Sequence, residues 1–327
     1  MRNIVICCDG TDHQFGRCNT NVIHLLQALE RHSHGQKFFY TPGVGTFAAR
    51  FFGLNVGTTL GRLLGSAFGY GIRQSLEQAY RYLMNEYEEG DRVFIFGFSR
   101  GAFIARSLAS MLDACGLLYP HHENMISTVS DYYLNNASLA QLDDFRRTFT
   151  RPCPPHFVGV WDTIGALGVL LSMRRFHTAK LAPGVANAFH AVAIDERRGP
   201  FVPALWDEHD IGDDQHVEQV WFAGVHGDIG GSYRERGLAD IALHWMLEKA
   251  RERGLELTDN ALEQLTPDPL GTLHHGRTGW WRLLGRHVRE LPEGARLHPS
   301  VHERLSAMPA YSPSNLPSAR HDHGSAD

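Results

Sequence analysis

The chain has 327 residues, 43% hydrophobic and 20% charged, with a net charge of −5 when its 20 histidines are neutral. Such a length and composition belong to a folded globular protein with a sizeable core and exclude a disordered or fibrous chain. With no basic surplus to neutralise a phosphate backbone, nucleic acid is excluded as a partner.

The N-terminus runs from Met1-Arg2-Asn3 into the apolar strand Ile4–Cys8, too short for the core of a signal peptide, and no later stretch approaches a membrane span. Cytoplasmic synthesis is expected, with signal-independent export left open. The five cysteines (Cys7, Cys8, Cys18, Cys115, Cys153) are an odd number, and Cys7 and Cys8 alternate faces on a strand, so they read as reduced thiols. After the turn Asp9-Gly10-Thr11, a helix is expected over Asn21–Glu30, capped by Asn19 or Thr20, followed by a strand over Lys37–Thr41. The segment from Phe51 to Gly71 is apolar and glycine-rich and reads either as a mobile lid over an acyl pocket or as a packed loop. Ile72, Leu76, Ala79, Tyr80, Leu83 and Tyr87 then recur at helical spacing. Val93–Phe96 reads as a fully buried strand and Ala102–Leu112 as the helix after it. Strands follow at Phe157–Trp161, Phe189–Ile194 and Val217–Val225, and a helix at Leu238 to about Arg251.

Alternating strands and helices of this kind predict a mostly parallel central sheet with helices on both faces, an α/β-hydrolase-like core of six strands. A single catalytic domain is expected over residues 1–311, its core ending near 254 and a Pro- and Gly-rich appendage occupying about 255–311. The polar stretch 312–327 reads as a disordered tail.

A serine hydroxyl is a poor nucleophile at neutral pH and needs exposure on a tight turn, a neighbouring base and nearby amide donors. Gly97-Phe98-Ser99-Arg100-Gly101 places Ser99 between a buried strand and a helix, with glycines two positions to either side. The base is expected after the last core strand, where His226 opens the glycine-rich turn Gly227-Asp228-Ile229-Gly230-Gly231; His298 is the alternative. Two acids compete for the third role. Asp162 ends the strand Val158–Trp161 in a tight apolar turn, whereas Asp195 ends Ala191–Ile194 and precedes Glu196-Arg197-Arg198, which favours Asp162. Oxyanion donors are expected from the Arg100 amide and from the loop holding Gly10 and Thr11, with Asp9 fixing that loop by hydrogen bonds.

These pieces resemble a known family, the α/β-hydrolase domain that includes the catalytic domain of type VI secretion phospholipase effectors. The resemblance is carried by Cys8-Asp9-Gly10-Thr11 with Asn19-Thr20-Asn21-Val22, the Ser99 elbow through Ala102, Val158 to Gly165, Asp195 to Arg198, and Gly224 to Gly231, in order over roughly residues 4–235. It implies a bacterial-type Ser-Asp-His ester hydrolase, in some members a phospholipase, with Ser99, Asp162 and His226 at the matching positions. The family's Gly and Asn after Asp-Gly-Thr are here Asp12 and His13.

The expected substrate is a lipid or other ester, cleaved without a cofactor or metal because a triad supplies its own base and oxyanion donors. Peripheral membrane contact is suggested by Trp280-Trp281-Arg282-Leu283-Leu284-Gly285-Arg286, which reads equally as an interfacial anchor or as a segment docked on the core. The rival reading is a metal-dependent phosphoesterase, with Asp9, Asp12, His226 and Asp228 converging at strand ends.

Overall fold

The computed structural model describes residues 1–10, 16, 18–43, 58–135, 137–164, 180–276 and 285–316, with residues 58–69 described by their backbone alone. In chain order the elements are β1 (Asn3–Cys8), α1 (Asn21–Ala28), β2 (Gln36–Thr41), α2 (Thr58–Glu86), β3 (Arg92–Phe98), α3 (Arg100–Cys115) and β4 (Leu117–Leu118). A single 3-10 turn at Glu123–Met125 leads into α4 (Ile126–Asn135), then α5 (Leu139–Phe149), β5 (Thr150–Arg151), β6 (Pro155–Trp161), β7 (Asn187–Ala193) and β8 (His216–Phe222). The chain continues through α6 (His226–Gly230), α7 (Gly237–Glu252), β9 (Arg296–Leu297) and α8 (Pro299–Ala307).

Seven strands form one sheet in the order β2-β1-β3-β6-β7-β8-β9. Every pairing in it is parallel. All six strands expected from the sequence are present, and β9 adds a seventh from the segment read as an appendage. β4 and β5 make a separate antiparallel pair.

The side-chain alternation of the strands divides the core. Ile4, Ile6, Cys8, Val93, Ile95, Val158 and Val160 face α2, α3 and α4, while Val5, Cys7, Phe94, Phe96, Phe157 and Phe189 face α1 and α7. Both faces are buried, which is why β1 and β3 read as continuous apolar runs rather than as alternating ones. Val301 of α8 packs with Val192, Ile194 and Trp221 at the far end of the sheet. Cys7, Cys8, Cys115 and Cys153 are buried and unbridged, and burial raises each thiol, Cys115 and Cys153 to about 12.

Two expectations change. The glycine-rich stretch from Thr58 to Gly71 is not a loop: its backbone is helical and continuous with the segment at Ile72, making α2 a helix of 29 residues. Glycine costs about 1 kcal/mol in a helix interior relative to alanine, a local penalty that a long packed helix outweighs. Residues 51–57, the start of the lid reading, lie outside the described residues. Within the stretch expected to be a disordered tail, Asn315 is fixed, its Nδ2 donating to the Ile194 and Arg289 carbonyls at 3.0 and 3.1 Å. Residues 317–327 and the Trp280–Leu284 part of the aromatic segment lie outside the described residues. Among the described residues no helix is long and apolar enough to cross a membrane.

Candidate active site

The order of strands reverses between β1 and β3, and in open parallel sheets the crevice at the carboxyl ends of two such strands is where ligands bind. Asp9 and Gly10 follow β1 there, and Ser99 follows β3. Ser99 has a φ of 59°, in the left-handed region that non-glycine residues rarely adopt, so the elbow holds backbone strain. Its amide still donates to the Trp161 carbonyl at 3.0 Å, as though β3 continued by one residue. The sharpness of the turn is enforced by contact: a Cβ at Gly101 would overlap the Cys8 and Asp9 carbonyls, and one at Gly97 would overlap the Gly101 carbonyl. The helix that begins at Arg100 directs its N-terminal dipole at this turn.

Ser99 Oγ lies 2.8 Å from His226 Nε2, and His226 Nδ1 lies 2.5 Å from Asp162 Oδ2. His226 begins α6 immediately after β8, and its own amide donates to Glu196 Oε2 at 3.2 Å. The imidazole is flanked by the rings of Phe98, with centroids 4.6 Å apart, and Phe201, at 5.0 Å and nearly perpendicular. Close approach of α6 to Phe98 requires Gly230, where any Cβ would overlap the phenyl ring. Burial lowers the His226 pKa, Asp162 opposes that shift, and the balance leaves the ring less basic than free histidine. A neutral imidazole whose Nδ1–H donates to Asp162 leaves Nε2 to accept the Ser99 hydroxyl proton.

Asp162 is fully buried at a φ of 39° just past β6. Its Oδ1 accepts from Ala193 N at 2.9 Å and Arg289 Nη1 at 2.5 Å, and its Oδ2 accepts from Arg289 Nη2 at 2.9 Å as well as from His226. Burial alone would raise this carboxyl, but the Arg289 guanidinium and the His226 bond reverse the effect and hold it well below the usual carboxylate range. The turn beyond it is pinned by His190, whose ring burial drives down to about 3. Being neutral, His190 accepts from Thr163 N at Nε2 (3.1 Å), which leaves Nδ1–H for Gln219 Oε1 at 3.3 Å.

The other expected residues have different settings. Asp195 Oδ2 accepts from Gly224 N and Tyr311 OH, both at 2.8 Å, and its pKa is raised, chiefly by burial. His298 caps α8, with Nδ1 2.8 Å from Ser300 Oγ and its ring stacked on Phe222. Asp9 Oδ1 accepts from Gly10 N at 2.7 Å and Thr20 Oγ1 at 2.8 Å, and Oδ2 accepts from Tyr40 OH at 2.9 Å, so Asp9 does tie down the loop after β1. That first bond occupies the Gly10 amide, and Thr11 lies outside the described residues. Asp228 accepts from Val225 N, His274 N and His274 Nδ1. Asp12 lies outside the described residues, and among those described no three or more His, Cys, Asp or Glu side chains are grouped to hold a metal ion.

Arg289 has no counterpart in the sequence reading. Nothing in its local sequence marks it, because its partner Asp162 is 127 positions away. The only available signal was chemical: a buried carboxylate in an apolar turn needs a cation or several donors.

Residues 2–249 match the family model described as type VI secretion system (T6SS), phospholipase effector Tle1-like, catalytic domain. The chain belongs to this family. An uncharacterised protein of Saccharomyces cerevisiae, YEL023C, is 34% identical over 223 residues, which cover 61% of this chain and 32% of the yeast protein. Among solved structures, an uncharacterised Pseudomonas aeruginosa protein matches at 20% identity and a TM-score of 0.47, over 80% of this chain and 47% of the other. A Tle1 effector bound to the VgrG spike of the type VI secretion system matches at 18% identity and a TM-score of 0.41, over 71% of this chain and 51% of the other. The chain thus spans about a third of the curated relative and about half of each solved one.

Proposed function

We propose that this chain is a serine hydrolase of lipid esters, of the phospholipase class, in which Ser99 is the nucleophile, His226 the general base and Asp162 the acid that orients it. The observation that carries this reading is the continuous hydrogen-bonded line from Ser99 Oγ through His226 to Asp162, built on a strained strand-to-helix turn. Membership of a phospholipase-effector catalytic family favours a lipid ester over other acyl donors.

In this reading Ser99 Oγ attacks the ester carbonyl carbon as its proton passes to His226 Nε2. The carbonyl oxygen becomes an oxyanion, for which the Arg100 amide at the start of α3 is the donor. Collapse of the intermediate breaks the bond to the alcohol, which takes the proton from His226 and leaves an acyl group on Ser99. Water then attacks that acyl carbon, gives its proton to His226, and releases the carboxylic acid as the Ser99 hydroxyl is restored. Throughout, Asp162 remains ionised and stabilises the imidazolium, in keeping with its depressed pKa.

The test is a panel of esters graded from short acyl p-nitrophenyl esters to diacyl phospholipids in micelles, assayed with the wild type and Ser99→Ala. Turnover of phospholipid by the wild type, absent from the variant and unchanged by chelator, is expected. Turnover confined to short soluble esters would remove the phospholipase part of the reading.

A further inference from the structure

We infer that Arg289, supplied by a C-terminal segment beyond the family-matched region, is a positioning residue that locks the Asp162 carboxylate in one orientation and limits the charge His226 experiences. The inference rests on the roles just proposed for Ser99, His226 and Asp162.

Both side chains are fully buried. The guanidinium grips the carboxylate at two points, Nη1 to Oδ1 at 2.5 Å and Nη2 to Oδ2 at 2.9 Å. Its remaining bonds go to carbonyls: Nη1 to Ala193 at 2.8 Å, Nη2 to Phe201 at 2.8 Å and Nε to Phe201 at 3.2 Å. With Ala193 N also donating to Oδ1, the carboxylate plane cannot turn, and Oδ2 stays directed at His226 Nδ1. Only the planar fork of arginine makes this two-point contact; a lysine ammonium would keep the charge but lose the second point.

The segment that brings Arg289 here is itself pinned beside the site. Arg286 forms an antiparallel bridge with Arg198, His287 N donates to the Arg197 carbonyl at 3.1 Å, and Asn315 Nδ2 holds the Arg289 carbonyl. The matched region ends at residue 249, forty positions before Arg289 (289 − 249), so the grip on the acid comes from chain outside it.

The charged groups around His226 come from three segments: Asp162 after β6, Glu196 and Arg198 after β7, and Arg289 behind Asp162. Asp162 and Glu196 favour the imidazolium and Arg198 opposes it. Glu196 is already paired with Arg198, Nη2 to Oε2 at 2.7 Å. Arg289 balances the Asp162 charge, so the histidine gains an orienting acceptor without the full field of an unpaired buried carboxylate. Removal of that cation would leave Asp162 to stabilise the imidazolium alone and would make His226 more basic.

The experiment measures the pH dependence of fluorophosphonate labelling in the full chain, for wild type, Ser99→Ala, Arg289→Gln and Arg289→Lys, with a thermal melt of each. Wild type should label and Ser99→Ala should not. In Arg289→Gln the acid-side midpoint of the labelling rate should move up by about one pH unit or more, the scale on which one neighbouring charge moves a titration. In Arg289→Lys the midpoint should stay and the plateau rate should fall, by about tenfold or more, in protein that remains folded. A folded Arg289→Gln with the wild-type midpoint overturns the inference, since a purely structural arginine would change the melt and not the midpoint. If Arg289→Gln does not fold, a wild-type plateau in Arg289→Lys overturns it instead. Wild type that fails to label at Ser99 overturns the triad reading, and this inference with it, and is told apart from the other outcomes by the first two samples alone.

Discussion

Asp162 and Asp195 are both carboxylates at the ends of neighbouring parallel strands, and what separates them is the company each keeps. Asp162 holds His226 and Arg289, whereas Asp195 holds the Gly224 amide and the Tyr311 hydroxyl. Asp162→Asn should lower turnover by about 10⁴-fold, the scale seen when a triad acid becomes an amide and the histidine takes the wrong tautomer. Asp195→Asn should cost activity much less, because its bonds are to the turn after β8 and to the C-terminal segment. Steady-state rates of the two variants check this, and the reverse ranking would transfer the acid role to Asp195. That Ser99, Asp162 and His226 could meet was legible in the sequence because each directly follows an apolar run that reads as a buried strand, and strands in a parallel sheet end on one side. Arg289 was not legible, since it reaches the site through a distant segment whose path no local pattern reveals.

At the scale of elements, α6 is a single short turn whose position decides whether His226 meets Ser99. Gly230 lets it pack against Phe98, and a methyl there would overlap the ring. Gly230→Ala should therefore push α6 outward. It should destabilise the protein by about 1–3 kcal/mol through overpacking and lower kcat by about 10²-fold, the order expected for a displacement near 1 Å at a reacting centre. Urea unfolding and turnover, measured on the same preparation, check both parts; a kcat equal to wild type would mean that α6 tolerates the shift. The longer helices that escaped the sequence reading are α4, α5 and α8. α5 did carry a start signal, Ser138 and Gln141 in a reciprocal capping box, but its single buried residue, Phe145, left no apolar stripe to confirm it. The helical part of the glycine-rich segment was hidden for the opposite reason, because the four glycines from Thr58 to Gly71 weigh against a helix.

On the scale of the whole molecule, the sheet buries both faces, and several histidines are buried or half-buried with it. His24 and His298 are driven down to about 4, His190 to about 3, and His226 is also lowered, in each case first by burial. In the unfolded chain these groups titrate near 6.5. Between that value and their folded values the unfolded state binds more protons than the folded one, so stability is full above about pH 6.5 and is lost as pH falls. Asp195 and Asp228, whose pKa values are raised chiefly by burial, act in the opposite sense at the carboxylate end of the scale. The melting temperature should therefore drop steadily from pH 7.5 to 5.5. Scanning calorimetry across that window checks it, and a flat profile would show that the buried histidines titrate alike in both states.

The central claim is that Ser99 carries the acyl group, and peptide mapping by mass spectrometry after fluorophosphonate treatment tests it most directly. One adduct is expected, on the peptide containing Gly97-Phe98-Ser99-Arg100, formed by the wild type, absent from Ser99→Ala, and formed far more slowly by Asp162→Asn. An adduct on another residue, or ester hydrolysis by a folded Ser99→Ala at the wild-type rate, would contradict it.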